Sequence, residues 1–128
     1  MDSTNTAGAD MAGSATQGIR TVLHPVSDLE AAKKVYGALL GVAPQTDEPY
    51  YVGFEAEGQQ IGLVPGGKEQ GMASPVAYWH VTDIAAKLAE VTAAGATMRE
   101  DAHDVGGGRL VATVIDPDGN VLGLLQDR

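Results

Sequence analysis

Thr21–Leu29 reads T-V-L-H-P-V-S-D-L, and Val76–Ile84 reads V-A-Y-W-H-V-T-D-I. Each is a β-rich run that closes on a hydroxyl residue, an Asp and an aliphatic residue. Each then leads into an Ala-rich helical stretch. The correspondence continues downstream, where Gly58–Val64 reads G-Q-Q-I-G-L-V and Gly119–Leu125 reads G-N-V-L-G-L-L. The parts follow the same order in both halves, so the chain reads as a duplicated module. Such a module usually places its functional cleft where the copies meet.

Outward from these runs, Ile19–Val26 is predicted as the first strand, with Ser27 or Asp28 capping a helix. Leu29, Ala32, Val35, Tyr36, Leu39 and Leu40 recur at helical spacing and form one apolar face. Gly41 ends the helix, as Gly often does. Val42–Asp47 is a short strand or loop. Tyr50–Glu55 and Gln60–Val64 are strands joined at Glu57-Gly58. Pro65 to Pro75 is a linker full of chain breakers. The second half repeats the scheme. Val76–Val81 is a strand, and Thr82 or Asp83 caps a helix with Ile84, Leu88, Val91 and Ala94 on its apolar stripe. Thr97–Val105 is a weaker strand, Gly106–Gly108 a hairpin tip and Leu110–Ile115 a strand. Asp116–Gly119 is a tight turn, and Val121–Leu125 closes the set. The fold class is therefore α+β: tandem βαβββ modules, at about 18–66 and 75–128, forming a shared curved-sheet cleft.

With 128 residues the chain is one domain by length, large enough to bury roughly two-thirds of its unfolded surface. It has no cysteine, which excludes disulfides, thiolate catalysis and Cys-ligated zinc and fits a cytoplasmic protein. Its 17 acidic and 8 basic residues give a net charge of −9. Without a basic cluster, neither nucleic acid nor an anionic membrane is a fitting partner. Residues 1–17 are polar, lack Lys and Arg and do not have the form of a secretion signal, so they read as a flexible tail. Residues 18–128 carry the folded domain.

The run V-S-D-L-E-A-A-K-K-V-Y-G-A-L-L-G at Val26–Gly41 and the run D-P-D-G-N-V-L-G-L-L at Asp116–Leu125 resemble two patterns of the vicinal oxygen chelate superfamily. That superfamily includes glyoxalase I, bleomycin-resistance proteins and extradiol dioxygenases. The resemblance extends over about Gly18 to Gln126. It implies a divalent cation in the metal-using members, held by four residues. Two lie on the first strands, seven positions before each capping Asp, and two on the last strands. In this chain those positions are Thr21, Gly62, Val76 and Gly123. Protonated Thr is a poor ligand, and Gly and Val offer no side-chain donor. The expectation is no metal and no cofactor.

Strand alternation sorts the remaining candidates. His24 faces the helix and reads as a packing residue. His80 shares the cleft face with Val76 and is the best polar group there. His103 reads as a surface residue, and Asp101, His103 and Asp104 make at most a weak loop site for a metal. Asp28, Asp83, Asp116 and Asp118 have structural roles as caps and turn residues, so no catalytic residue is assigned. The triple glycine joins two strands and opens no helix, so it is no phosphate cradle. Tyr78 belongs to the cleft face and Trp79 to the core, and one of Tyr50 and Tyr51 faces the cleft. The expected ligand-binding set is Thr21, Leu23, Tyr50, Tyr51, Gln60, Gly62, Val76, Tyr78, His80 and Gly123, with Pro25, Val64 and Leu125 beside it. Gly62 and Gly123 are expected to remove bulk from its middle. Such a lining, mostly apolar with a few polar handles, suits a small-molecule pocket. The plainer alternative is side chains filling the space as core.

The sequence thus points to a metal-independent binding protein for an apolar or aromatic small molecule. Sequestration of an antibiotic or toxic metabolite is the form the resemblance implies. The acidic surface favours a neutral or cationic ligand, and a homodimer would cover exposed sheet edges. The alternative is a glyoxalase-like lyase or isomerase, or a dioxygenase, using His80 or an atypical metal site. A third reading is a partner module with a closed cleft.

Overall fold

Two aspartates start the two helices. Asp28 and Asp83 both have extended backbones, and their carboxylates accept hydrogen bonds from the N–H groups of Ala31 at 3.1 Å and Ala86 at 3.0 Å. Each satisfies a donor that the first helical turn leaves unpaired. Around them the computed structural model, which describes residues 15–127, shows the duplicated order expected from the sequence. The first half runs β1 (Thr16–Pro25), α1 (Leu29–Leu40), β2 (Thr46–Glu48), β3 (Tyr51–Ala56) and β4 (Gln59–Val64). The second runs β5 (Val76–Val81), α2 (Ile84–Ala93), β6 (Thr97–Asp104), β7 (Leu110–Ile115) and β8 (Val121–Gln126). The β1 strand begins at Thr16, three residues ahead of the expected start, so Thr16 and Gln17 are strand and not tail. The rest of the expected tail, residues 1–14, lies outside the described residues. Ile19–Tyr78 form one compact unit. Trp79 onward, with residues 15–18, forms the other.

In the first unit the strand order is β2-β3-β4-β1. The β1 strand pairs parallel with β4, from Thr21 opposite Gln60 to Pro25 opposite Val64. The β3–β4 hairpin turns on Glu57 and Gly58, both at positive φ (55° and 76°), as a two-residue turn of this hand requires. Helix α1 covers one face of the sheet. Val52, Phe54 and Leu63 are fully buried there against Val26, Leu29, Ala32, Tyr36, Leu40 and Ile61. Val35 and Leu39, expected on the apolar face, are 64% and 75% exposed. At about 100° per residue, Leu29, Ala32, Tyr36 and Leu40 form one tight arc, with Val35 and Leu39 on its flank. On the other flank Lys33 reaches Asp47 of β2 at 3.0 Å. Hydrogen bonds to Asp47 and then Glu30 raise the Lys33 pKa. Gly41 ends the helix at φ 72°, and its N–H bonds the Gly37 carbonyl.

In the second unit β7 pairs antiparallel with both β6 and β8, and β8 is flanked by the Trp79–Val81 end of β5. Helix α2 closes a core of Val81, Ile84, Leu88, Ala112, Val114 and Leu124, with Trp79, Val91 and Ala102 at its margin. Trp79 thus packs half-buried against this core, on the face that alternation assigned it. Ala94 is the exposed C-cap of α2 and no part of its packed stripe. The β6–β7 register shifts between Met98 and Glu100 and again between Glu100 and His103. These bulges explain why the β6 sequence shows only weak alternation. Gly106, Gly107 and Gly108 all have positive φ and form the hairpin tip. The Asp116 carboxylate accepts from Asn120 Nδ2 and from the N–H groups of Asn120 and Asp118, each at 2.9 Å. These bonds, chiefly those from Asn120, hold its pKa below the usual carboxylate value. Among the described residues no helix is long and apolar enough to cross a membrane.

Candidate functional site

Because the helices cover one face of each unit, side chains of opposite parity point to the other face. In the first unit these are Thr21 and Leu23 of β1, Tyr51 and Gly53 of β3, and Gln60 and Gly62 of β4. Thr21 is 2% exposed, and its hydroxyl donates to Gln60 Oε1 at 3.3 Å. Gly62 and Gly53 pair directly and leave a bare strip of backbone. The Tyr51 ring lies across that strip. A Cβ added at Gly62 would land on the Tyr51 hydroxyl, 2.7 Å from Tyr51 Cζ and 2.7 Å from Leu23 Cδ2. One added at Gly53 would stand 3.0 Å from Tyr51 Cε2. Gly62 therefore does not open a hollow, as the sequence suggested; Tyr51 fills it. Tyr50 sits in the turn before β3 and is 73% exposed, so of the two tyrosines only Tyr51 belongs to this face.

On β5, Val76, Tyr78 and His80 point away from the core that holds Trp79 and Val81, and all three are buried. Their expected parity is therefore met. In the second unit the helix-distal face also carries Thr113 of β7 opposite Gly123 of β8. Thr113 is 2% exposed. Its hydroxyl accepts from Arg99 Nη1 at 3.3 Å and donates to Glu100 Oε1 at 3.3 Å. Arg99 and Glu100 form an ion pair at 3.6 Å. Farther along, the buried His80 stands with Nδ1 3.7 Å from Asp127 Oδ2. Arg109 grips the same carboxylate through Nε at 2.7 Å and Nη2 at 3.2 Å. Asp127 also borders a pocket of about 330 Å³ with Asp104, Gly108, Leu110 and Gln126. None of the residues expected to bind ligand lines that pocket.

The sequence reading missed Arg99, Glu100, Thr113, Arg109 and Asp127. Thr113 was within reach: counting back from the Asp116–Gly119 turn places it opposite Gly123. Arg99 was not, because the β6 bulges set its direction.

The four positions that hold a metal in metal-using relatives do not fit a divalent ion. The Thr21 hydroxyl is spent on Gln60. Any side chain at 62 meets the Tyr51 ring. Val76 and Gly123 supply no donor. Among the described residues no three His, Cys, Asp or Glu side chains are grouped to take one elsewhere. The loop set of Asp101, His103 and Asp104 is turned inward on its own backbone. His103 Nδ1 pairs with the Asp101 carbonyl at 2.9 Å, Asp101 Oδ1 accepts from Ala102 N–H, and Asp104 Oδ1 accepts from Gly106 N–H. His24 faces α1, where Nδ1 pairs with the Tyr36 hydroxyl at 3.1 Å and the rings meet edge-on. Burial lowers its pKa.

Comparison with known proteins agrees with this fold. The Glyoxalase/Bleomycin resistance protein/Dioxygenase superfamily is matched over residues 18–124. Solved structures with a similar fold include methylmalonyl-CoA epimerase from Mycobacterium tuberculosis, 19% identical, with a TM-score of 0.68 over 92% of this chain and 93% of that one. The Mn(II)-bound glyoxalase from Novosphingobium aromaticivorans is 22% identical, with a TM-score of 0.68, and the match covers 89% of this chain and 40% of that one. A glyoxalase/bleomycin resistance protein/dioxygenase superfamily member from Vibrio splendidus 12B01 is 17% identical, with a TM-score of 0.63 over 85% and 99%. No curated protein matches the chain.

Proposed function

The chain belongs to the glyoxalase/bleomycin resistance protein/dioxygenase superfamily, and we propose that it acts there as a metal-independent binder of small apolar or aromatic molecules. One observation carries this reading: Tyr51 occupies the space over Gly62 from which a metal ligand would project. The change replaces a cation-binding position with an aromatic surface and a phenolic hydroxyl. Aromatic faces of this kind take flat apolar ligands by offset stacking. Thr21 and Gln60, on the same face of the Ile19–Tyr78 unit, add polar handles. Sequestration of an antibiotic or a toxic metabolite is the role such binding serves. Dimerisation through an exposed edge strand, β2 or β6, belongs to the same reading.

Native mass spectrometry of the purified chain against a panel of antibiotics and aromatic metabolites tests the proposal and reports the oligomeric mass. Expected are a one-to-one adduct with at least one apolar or aromatic compound and no stoichiometric metal. A chain that carries one zinc, nickel, manganese or iron per copy, lost together with function on chelation, refutes it.

A second reading has its own observation. His80 is buried beside Asp127, which Arg109 fixes, and a carboxylate beside a histidine is a common way to orient an acid–base group. Turnover of a thiol–aldehyde adduct or a catechol, abolished by His80→Ala, would favour this lyase, isomerase or dioxygenase reading.

A further inference from the structure

We propose that Arg99 and Thr113 form an anion subsite that takes a carboxylate on the bound molecule, and that the Glu100 carboxylate is the group this ligand displaces. The inference deepens the binding reading above and rests on it.

The Arg99 guanidinium is poorly used. Arg99 carries five N–H donors in a rigid fork. Its side chain is only 25% exposed, yet it makes a single long hydrogen bond, to Thr113 at 3.3 Å, and a loose ion pair with Glu100 at 3.6 Å. Among the described residues it has no other polar partner. Arg109 in the same unit shows the contrast, with both ends of its fork on Asp127. Thr113 is held as loosely. Both contacts of its buried hydroxyl are 3.3 Å, longer than the roughly 2.9–3.0 Å usual for N–H···O and the roughly 2.7–2.8 Å usual for O–H···O bonds.

The Glu100 carboxylate is a stand-in that marks the site. It faces both donors without closing on either, and it comes from a side chain 51% exposed that can swing into water. Opposite Thr113 is Gly123, which has no side chain to occupy the ground beside the hydroxyl. A ligand carboxylate there engages the Arg99 fork at charge-assisted distances and accepts the Thr113 O–H. Glu100 moves out because two carboxylates cannot share the position without repulsion. The net charge of −9 opposes an anion at long range, but solvent screens that field beyond about 8–10 Å, so the direct contacts decide the outcome. The ligand class is a small aromatic or apolar monocarboxylate.

The test uses the full chain and three matched pairs: benzoate with benzamide, 2-naphthoate with 2-naphthamide, and indole-3-acetate with indole-3-acetamide. Binding is followed by amide chemical-shift titration. At least one carboxylate is expected to bind more tightly than its amide and to move the resonances of Arg99, Thr113 and Gly123. Arg99→Met should weaken that carboxylate by about tenfold or more, as loss of a hydrogen bond to a charged group does. Arg99→Lys should fall between, keeping the charge but losing the fork. Glu100→Ala should tighten binding severalfold with an unchanged melting temperature. Amides that bind as tightly as the acids, or carboxylate binding indifferent to Arg99→Met, overturn the subsite and leave the binding function standing. Absence of binding by all six compounds overturns the subsite, and absence of binding by the wider panel as well removes both.

Discussion

Gly62→Ala isolates the contact on which the metal-free reading turns. Gly62 is buried in β4 and its φ lies outside the left-handed region, so the backbone accepts alanine without strain. The obstacle is steric. The new Cβ falls on the Tyr51 hydroxyl and lies 2.7 Å from both Tyr51 Cζ and Leu23 Cδ2. Real Cβ atoms do not approach that closely, so the tyrosine ring must leave its bed on Gly53 and Gly62. Overpacking of this type costs about 1–3 kcal/mol. Alanine recovers about 0.5–1 kcal/mol over glycine in a strand. The net loss is about 1–2 kcal/mol, or roughly 4–8 °C in melting temperature for a domain of this size. Urea unfolding followed by circular dichroism measures it, and a double-mutant cycle with Tyr51→Ala assigns it. With the ring removed, the flexible end of Leu23 can swing into the vacated space, so Gly62→Ala should be neutral or stabilising, which gives a coupling of at least about 1 kcal/mol. If Gly62→Ala is as stable as the parent, or if its cost persists without the ring, Tyr51 does not occupy this space and the metal-free reading fails.

Burial lowers the His24 pKa below 6.5, so near that pH the folded chain binds fewer protons than the unfolded chain. Stability is therefore fully present above about pH 6.5 and declines as pH falls from there toward the folded pKa. Melting temperatures at about pH 7.5 and 5.5 should show that decline, and His24→Phe should shrink it; an equal slope in the variant would exonerate His24. Asp83→Ala removes the α2 cap and should cost about 1 kcal/mol, read from the urea midpoint, with loss of α2 amide protection preceding that of β7. An unchanged midpoint would mean that solvent satisfies the Ala86 N–H equally well.

The fold was legible because its determinants are local. The caps at Asp28 and Asp83, the stop at Gly41, the turns at Glu57-Gly58 and Asp116–Gly119, and the parity that buries Trp79 depend on residues a few positions apart. The site was legible only in part. Parity put Thr21, Leu23, Gln60, Val76, Tyr78 and His80 on the strand face away from the helices, since alternation is a backbone property. It could not foresee that Tyr51 would lie down across two glycines, because a ring's direction is decided by the space its neighbours leave. Nor could it place Arg99, whose direction depends on bulges with no compositional mark. Val35 and Leu39 carry the same lesson on a helix: six apolar residues at helical spacing span more arc than one sheet can cover.

The duplicated halves become informative where they cease to match. Gly62 and Gly123 hold the same place in the repeat, each on the last strand of its half and each opposite a residue of the strand before. Opposite Gly62 is a second glycine, and the double gap is filled from within by Tyr51. Opposite Gly123 is Thr113, a buried hydroxyl attended by a guanidinium and a carboxylate that hold it only at long range. One copy has spent its central space on an internal aromatic side chain. The other has kept polar groups whose hydrogen-bonding capacity its own residues leave largely unused. A ligand gains little by displacing a ring seated on two glycines, and it gains charge-assisted bonds by displacing Glu100. The physical asymmetry therefore leaves the Ile19–Tyr78 unit with an apolar face filled from within, and the unit that begins at Trp79 with polar groups that are loosely held. It also sets an order of effects for the variants: Arg99→Met acts on affinity with little change in stability, and Gly62→Ala acts on stability first. The reverse order, with Arg99 structural and Gly62 neutral, would refute both assignments.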